Sequence, residues 1–343
     1  MKSRTTLILV LLAVLAGAGA WWLGRSDTDT VETASSVSLV FPRLADKLAS
    51  ARRVEIQSKG ATLFIDRTDK GWGLPARGGY PVREDKLRTL FTALTELRAT
   101  EPRTAEPAQY ARLGVDDPAD PNATAALLKI LDDKGNILAQ LIVGHRSVST
   151  RPDVPTSVYI RRPGEARAWL AEGDLEAEVD PQLWLGRTIA NIDHGQIRTI
   201  EVDRGTEHLV LANTDGKMEL TAPADHPPLD PYGVEGMFRA LENLTLEDVR
   251  PLDQRPGTVL GTDRLTLADG GTITVTVAGY DNPAAKPDTP PEVWISFAVT
   301  GDAPALRALG AHTAGWTFKV GNWEEKALVP LLDALKAEPP AKP

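Results

Sequence analysis

Short β-branched runs and turn residues alternate along most of this chain, and two stretches break that rhythm with helical spacing. Arg53–Ser58 and Thr62–Arg67 are apolar-polar runs joined by Lys59-Gly60, a hairpin signal. Asp69-Lys70-Gly71 marks a second turn, with Gly71–Leu74 as a third strand. Over Glu84–Ala99, Leu87, Leu90, Phe91, Leu94 and Leu97 recur at helical spacing and form one apolar face. Further on, Ala125–Leu131 and Ile137–Val143 flank Asp132-Asp133-Lys134-Gly135 as another hairpin, and Val158–Arg161 supplies one more strand.

The pattern then repeats. Val54-Glu55-Ile56 returns as Ile200-Glu201-Val202, Leu63-Phe64-Ile65 as Leu209-Val210-Leu211, Thr68-Asp69 as Thr214-Asp215, Trp72 as Met218 and Leu74 as Leu220, all 146 residues apart. After one inserted residue, Leu90-Phe91 and Ala93-Leu94 match Met237-Phe238 and Ala240-Leu241, and Glu101/Arg103 match Asp248/Arg250. The second copy reads as strands over Gln196–Asp203, His208–Ala212 and Lys217–Thr221, then a helix over Val234–Asn243. A hairpin over Leu265–Ala268 and Thr272–Val277 and a strand over Val293–Val299 complete it. A period this long means duplicated domains and not a solenoid. The expected fold class is α+β: an N-terminal transmembrane helix, then two tandem duplicated domains, each a mostly antiparallel sheet with a packed helix. The expected boundaries are an anchor over 1–24, a polar tether over 25–37, repeat domains over 38–185 and 186–336, and a proline-rich tail over 337–343, with the domain junction in Gly186–Gly195.

The anchor expectation rests on Lys2 and Arg4 followed by an uncharged run from Thr5 to Leu23. As a helix that run would extend about 28 Å, near the ~30 Å of a bilayer core. Leu7, Leu11 and Leu15 would face lipid, with Trp21 and Trp22 at the far interface. A second reading treats Ala18-Gly19-Ala20 as the cleavage site of a signal peptide. The anchor reading implies a single-pass inner-membrane protein with its bulk in the periplasm.

Several segments together resemble one family. They are Phe41-Pro42-Arg43-Leu44-Ala45-Asp46-Lys47, Gly71-Trp72-Gly73-Leu74, Tyr80-Pro81, the stretch from Tyr110 through Leu113-Gly114 to Asp116-Asp117-Pro118, Leu141–Gly144, Trp184-Leu185, and Gly315-Trp316 through Val320. In order and spacing they resemble the DUF 4340 family, a domain of unknown function, with Val115 where that family usually has Leu. The resemblance implies a membrane-anchored exported protein in an accessory role beside the permease and auxiliary subunits of an ABC-type transporter. It brings no catalytic residues.

Composition narrows the chemistry. The 343 residues are 42% hydrophobic and 25% charged, which suits packed globular domains. A net charge of -9 argues against nucleic acid as a partner, and zero cysteine excludes disulfides, thiolate catalysis and Cys-based metal sites. His145, His194, His208, His226 and His312 form no HxH or HExxH pair. Asp116-Asp117, Asp132-Asp133 and Glu324-Glu325 read as turn or solvated residues, and so do the duplicated Glu101/Arg103 and Asp248/Arg250. No nucleophile elbow, Walker A or dinucleotide loop occurs. The expectation is therefore no catalytic residue, no cofactor and no metal. Eight tryptophans read mainly as core, with Trp316 and Phe318 as the candidate exposed interaction surface. The expected function is a non-catalytic, membrane-tethered periplasmic scaffold of an ABC-type transport system. The alternative is an envelope polysaccharide-binding or polysaccharide-processing enzyme.

Overall fold

The computed structural model describes residues 37–147 and 155–337. The first half builds one sheet from β1 (Ser38–Leu39), β2 (Ala51–Ser58), β3 (Ala61–Thr68), β4 (Gly71–Leu74), β5 (Tyr80–Pro81), β6 (Arg98–Pro102), β7 (Ala126–Asp132), β8 (Ile137–Ser147), β9 (Ser157–Arg161) and β10 (Ala168–Glu172). Its spatial order is β1-β6-β10-β9-β8-β7-β2-β3-β4-β5. The second half holds β11 (Thr188–Ala190), β12 (Ile197–Arg204), β13 (Glu207–Thr214), β14 (Lys217–Ala222), β15 (Leu244–Thr245), β16 (Asp248–Pro251), β17 (Thr258–Leu267), β18 (Thr272–Tyr280), β19 (Glu292–Thr300) and β20 (Trp316–Val320). Eight of these form a sheet ordered β14-β13-β12-β17-β18-β19-β20-β16, while β11 and β15 pair separately. From β4 to β6 and from β14 to β16 the two orders are the same, strand for strand, and neighbours run antiparallel throughout. In the first half, β5 and β1 are added at the two outer edges.

Local chemistry explains the elements. Lys59-Gly60 and Asp215-Gly216 both have positive φ, the backbone of a two-residue hairpin turn whose twist matches its strands. The helices are α1 (Leu44–Lys47), α2 (Glu84–Glu96), α3 (Tyr110–Leu113), α4 (Pro231–Phe238), α5 (Pro304–Thr313) and α6 (Trp323–Leu328). The α2 face of Leu87, Leu90 and Leu94 is buried, as its spacing predicts. That helix stops at Glu96, because Arg98–Pro102 becomes β6, between β1 and β10. Asp230 caps α4 by accepting from the Tyr232 and Gly233 N–H groups, and Pro231 occupies the first turn, where its missing N–H costs nothing. Among the elements that were not expected are β10 and α5, which packs on β19.

One hydrophobic core runs through both halves, from Val40 to Leu335. A smaller one lies on the opposite face of the first sheet: Ile142 joins it, while its strand neighbours Leu141 and Val143 face the main core. The segment around α3 covers that face. Gly114 turns it in the left-handed region, Val115 is buried, and the Tyr110 hydroxyl donates to the Ala166 carbonyl at 2.6 Å. The stretch Gly186–Gly195 is packed as well, with Ile189, Ala190 and Ile192 buried.

Two expectations are corrected. The described fold is mostly β, two large antiparallel sheets with short helices, in place of an α+β chain led by a transmembrane helix. Among the described residues no helix is long and apolar enough to cross a membrane. The longest, α2, has 13 residues, against the ~20 a span requires. The single-pass inner-membrane address therefore does not stand on this structure. Leu7, Leu11, Leu15, Trp21 and Trp22 lie outside the described residues.

The two sheets differ at one core position. Ile56 on β2 pairs with Leu128 on β7; the corresponding Val202 on β12 pairs with Asp263 on β17. Asp263 is 1% exposed, and neither carboxylate oxygen has a hydrogen-bond partner among the described residues. Burial pushes its carboxyl well above the usual range, so the neutral acid is favoured in the folded state. Folding then retains a proton that the unfolded chain releases, and stability falls as pH rises above about 4 toward the native value. Asp263→Leu should stabilise the chain by about 2 kcal/mol at neutral pH in urea unfolding. The gain should shrink to that of packing alone below about pH 4. A variant no more stable than the parent at any pH would refute this account.

Candidate functional site

The expected surface of Trp316 and Phe318 is a junction. Phe318 is fully buried and Trp316 is half-buried. Tyr80, from β5 of the first half, inserts edge-on between them, with ring centroids at 5.0 Å from Trp316 and 6.1 Å from Phe318. His312 of α5 stacks on Phe318, and its Nε2 lies 3.4 Å from the Tyr80 hydroxyl. Burial pushes the Tyr80 phenol up to about 12, so it stays protonated. Beside it, Arg77 Nε donates to Asp248 Oδ1 at 2.5 Å, and Gly78 lies against Pro251 so closely that a Cβ there would fall 2.3 Å from the proline ring. The duplicated acid and arginine have thus diverged. Glu101 pairs with Arg103, one residue past the end of its strand, whereas Asp248 binds the other half and Arg250 lies over the Trp294 ring.

A second cluster joins the start of β12 to the end of α4. His194 Nδ1 and Glu242 Oε1 share a hydrogen bond of 2.5 Å, and Arg239 Nη1 donates to Glu242 Oε2 at 2.8 Å. The bond from His194, reinforced by Arg239, holds the Glu242 carboxyl down at about 2. Asp193, His194 and Glu242 each offer a donor atom within 4.8 Å of one another, a spacing a metal could use. The fit is poor. Arg239 already lies 3.2 Å from His194 Nδ1, and Asp193 Oδ1 accepts from the Gly195 N–H at 2.7 Å to close its turn. A cation would have to displace a guanidinium that neutralises the same carboxylate, so the cluster is an ion-pair clamp.

The remaining candidates are structural. His145 is exposed and packs on Gly114, with its Nε2 3.1 Å from the Thr124 hydroxyl. Asp116 and Asp117 accept from the backbone N–H groups of Ala125 and Ala119, and Asp132 accepts from those of Lys134 and Asn136. Glu325 pairs with Arg204 at 2.6 Å. Arg146 is held by Asp174 and Glu176 in the polar cleft beside β8.

The site that sequence reasoning missed is a groove of about 500 Å³ between β14 and α4. Met218, Leu220, Leu229, Pro231 and Val234 give it apolar walls. Met218 and Leu220, which correspond to Trp72 and Leu74, are buried in the main core and border the groove at its edge, and nothing in their spacing distinguishes a covered edge from an open one.

Fold and site together define a two-sheet, mostly β protein whose halves lock through an aromatic plug and whose second half carries an apolar groove. The chain belongs to the family described as Domain of unknown function (DUF4340), whose model matches residues 72–270. No curated protein and no solved structure matches it.

The clamp makes an acid-side prediction. A carboxyl held low in the fold adds stability that is present above its unfolded value near 4.5 and is lost as pH falls through about 2. Glu242→Gln should cost about 1 kcal/mol at neutral pH. It should also flatten the acid arm of stability against pH, followed by urea unfolding from pH 6 to 2. An unchanged acid arm would show that Glu242 holds nothing.

Proposed function

We propose that this chain is a non-catalytic binding protein that serves as an accessory subunit of an ABC-type transport system. The observation that carries the reading is the groove beside β14: apolar walls of Met218, Leu220, Leu229, Pro231 and Val234 rimmed by Lys217, Glu219, His226 and Glu235 suit contact with another protein. The ionised groups support it. Glu242, Asp248 and Glu325 are engaged in ion pairs with arginines of this chain, which makes them poor acids or bases. The link to transport comes from the resemblance to the family.

In this reading the mechanism is positional. The Tyr80 plug and the Arg77–Asp248 pair hold the two sheets in a fixed relation, so the groove is presented at a set distance from whatever the first half contacts. Crosslinking of the tagged full chain in its native cells, followed by identification of the captured proteins, tests this. Permease and auxiliary subunits of one transporter should be recovered, and Leu229→Glu at the groove should reduce their yield several-fold. Recovery of no transporter subunit, or turnover of an envelope glycan by the purified chain, would overturn the reading.

A further inference from the structure

The two halves close their sheets differently at equivalent edges. In the first half, the outer edge of β4 is covered by the chain itself. Gly73 and Leu74 pair with Pro81 and Tyr80, and the Val82 N–H donates to the Trp72 carbonyl at 2.9 Å. By the 146-residue offset, Trp72 and Leu74 correspond to Met218 and Leu220 of β14. There the covering strand is missing. β14 pairs only with β13, and residues 217–222 make no other backbone-to-backbone hydrogen bond among the described residues.

The sequence explains why. The segment that corresponds to Tyr80–Val82 is Pro227-Pro228-Leu229, whose two prolines have no N–H to donate to an edge. It is also drawn elsewhere: Leu229 pairs with Lys336, and the Pro228 carbonyl accepts from the Ala337 N–H at 3.0 Å. The result is the groove between β14 and α4. Every residue from Gly216 to Leu220 borders it, including side chains of both sheet faces, so its wall is the strand's own main-chain edge. The opposite wall is Pro231 and Val234 of the helix.

An unpaired edge facing a helix across an apolar cleft is the arrangement that accepts an added strand: the main chain supplies hydrogen bonds, and alternate side chains enter the cleft. We propose that the β14 edge binds an extended segment of a partner protein, which adds to the sheet antiparallel to β14 and sets apolar side chains at alternate positions against Met218, Leu220 and Val234. The occupant's chemistry is read from β5, the short strand with an aromatic residue that fills the corresponding edge of the first half. The proposal rests on the reading of the chain as a binding protein, and it names the surface and the kind of partner.

The probe is a set of twelve-residue peptides selected from a phage-displayed random library on the full chain, with amide hydrogen exchange as the readout. Selected peptides should carry apolar residues at alternate positions and slow exchange at residues 217–222 while leaving 71–74 unchanged. N-methylation of alternate peptide nitrogens, which leaves the protein untouched, should weaken binding at least tenfold, and Leu229→Glu should do the same. The proposal is overturned if no peptide is enriched, or if enriched peptides bind elsewhere or tolerate N-methylation. Protection of 217–222 without peptide also overturns it: concentration-dependent protection would make a second copy the occupant, and protection lost on removing residues 338–343 would make it the chain's own tail. Failure here leaves the transport reading to the crosslinking result, and failure of that crosslinking leaves strand addition standing.

Discussion

A β-sheet edge exposes a row of unpaired N–H and C=O groups, and the rest of this structure depends on how each edge is dealt with. In the first half, two residues of β5 close the β4 edge, and Tyr80 on that short strand reaches into the aromatic group of Trp316, Phe318 and His312. One side chain thereby completes a sheet and joins it to the next. Burial of a full tyrosine ring among other rings makes this contact worth several kcal/mol, more than the adjacent Arg77–Asp248 pair can supply at a partly exposed site. The Tyr80 ring belongs to the one core that runs through both halves.

Duplication explains the differences as well as the likeness. Both halves keep the same order of eight antiparallel strands, because that order buries one face of each hairpin against its neighbours. Positions freed from that constraint have diverged. Glu101 stays on its own sheet while Asp248 bridges to the other half. Leu128 is matched by Asp263, an acid whose burial without a partner lowers stability. Tyr80-Pro81 is matched by a proline pair that leaves the β14 edge unpaired. Only the last of these lies at the groove: Asp263 is buried on β17, three strands in from the β14 edge.

The polar clusters act as fastenings. His194, Glu242 and Arg239 tie the entry of β12 to the end of α4, and Arg204 ties the β12 hairpin to α6 through Glu325 and the Val329 carbonyl. Arg77 does the same between the halves. In the last two a guanidinium bridges segments distant in sequence and neutralises a carboxylate, while Arg239 neutralises Glu242 three residues on and His194 makes the long-range link.

Much of the fold was legible in the sequence. The strands around Lys59-Gly60, the α2 face of Leu87, Leu90 and Leu94, the 146-residue offset and the resemblance to the DUF 4340 family all follow from short-range pattern, which depends on periods of two and 3.6 and on turn residues. The apolar run at Thr5–Leu23 suggested a membrane helix, yet the described fold contains none and is mostly sheet. Trp316 and Phe318 carried no sign of their partner, because Tyr80 lies more than 230 residues away in the chain and only the meeting of the two sheets brings them together. The same holds for the groove. Met218 and Leu220 read as core in any half-buried strand, and whether the edge beside them is covered depends on where Pro227-Pro228-Leu229 goes, which is decided by its pairing with Lys336 and Ala337 at the far end of the described chain. Local periodicity determines which residues face inward; only long-range pairing decides which edges stay open.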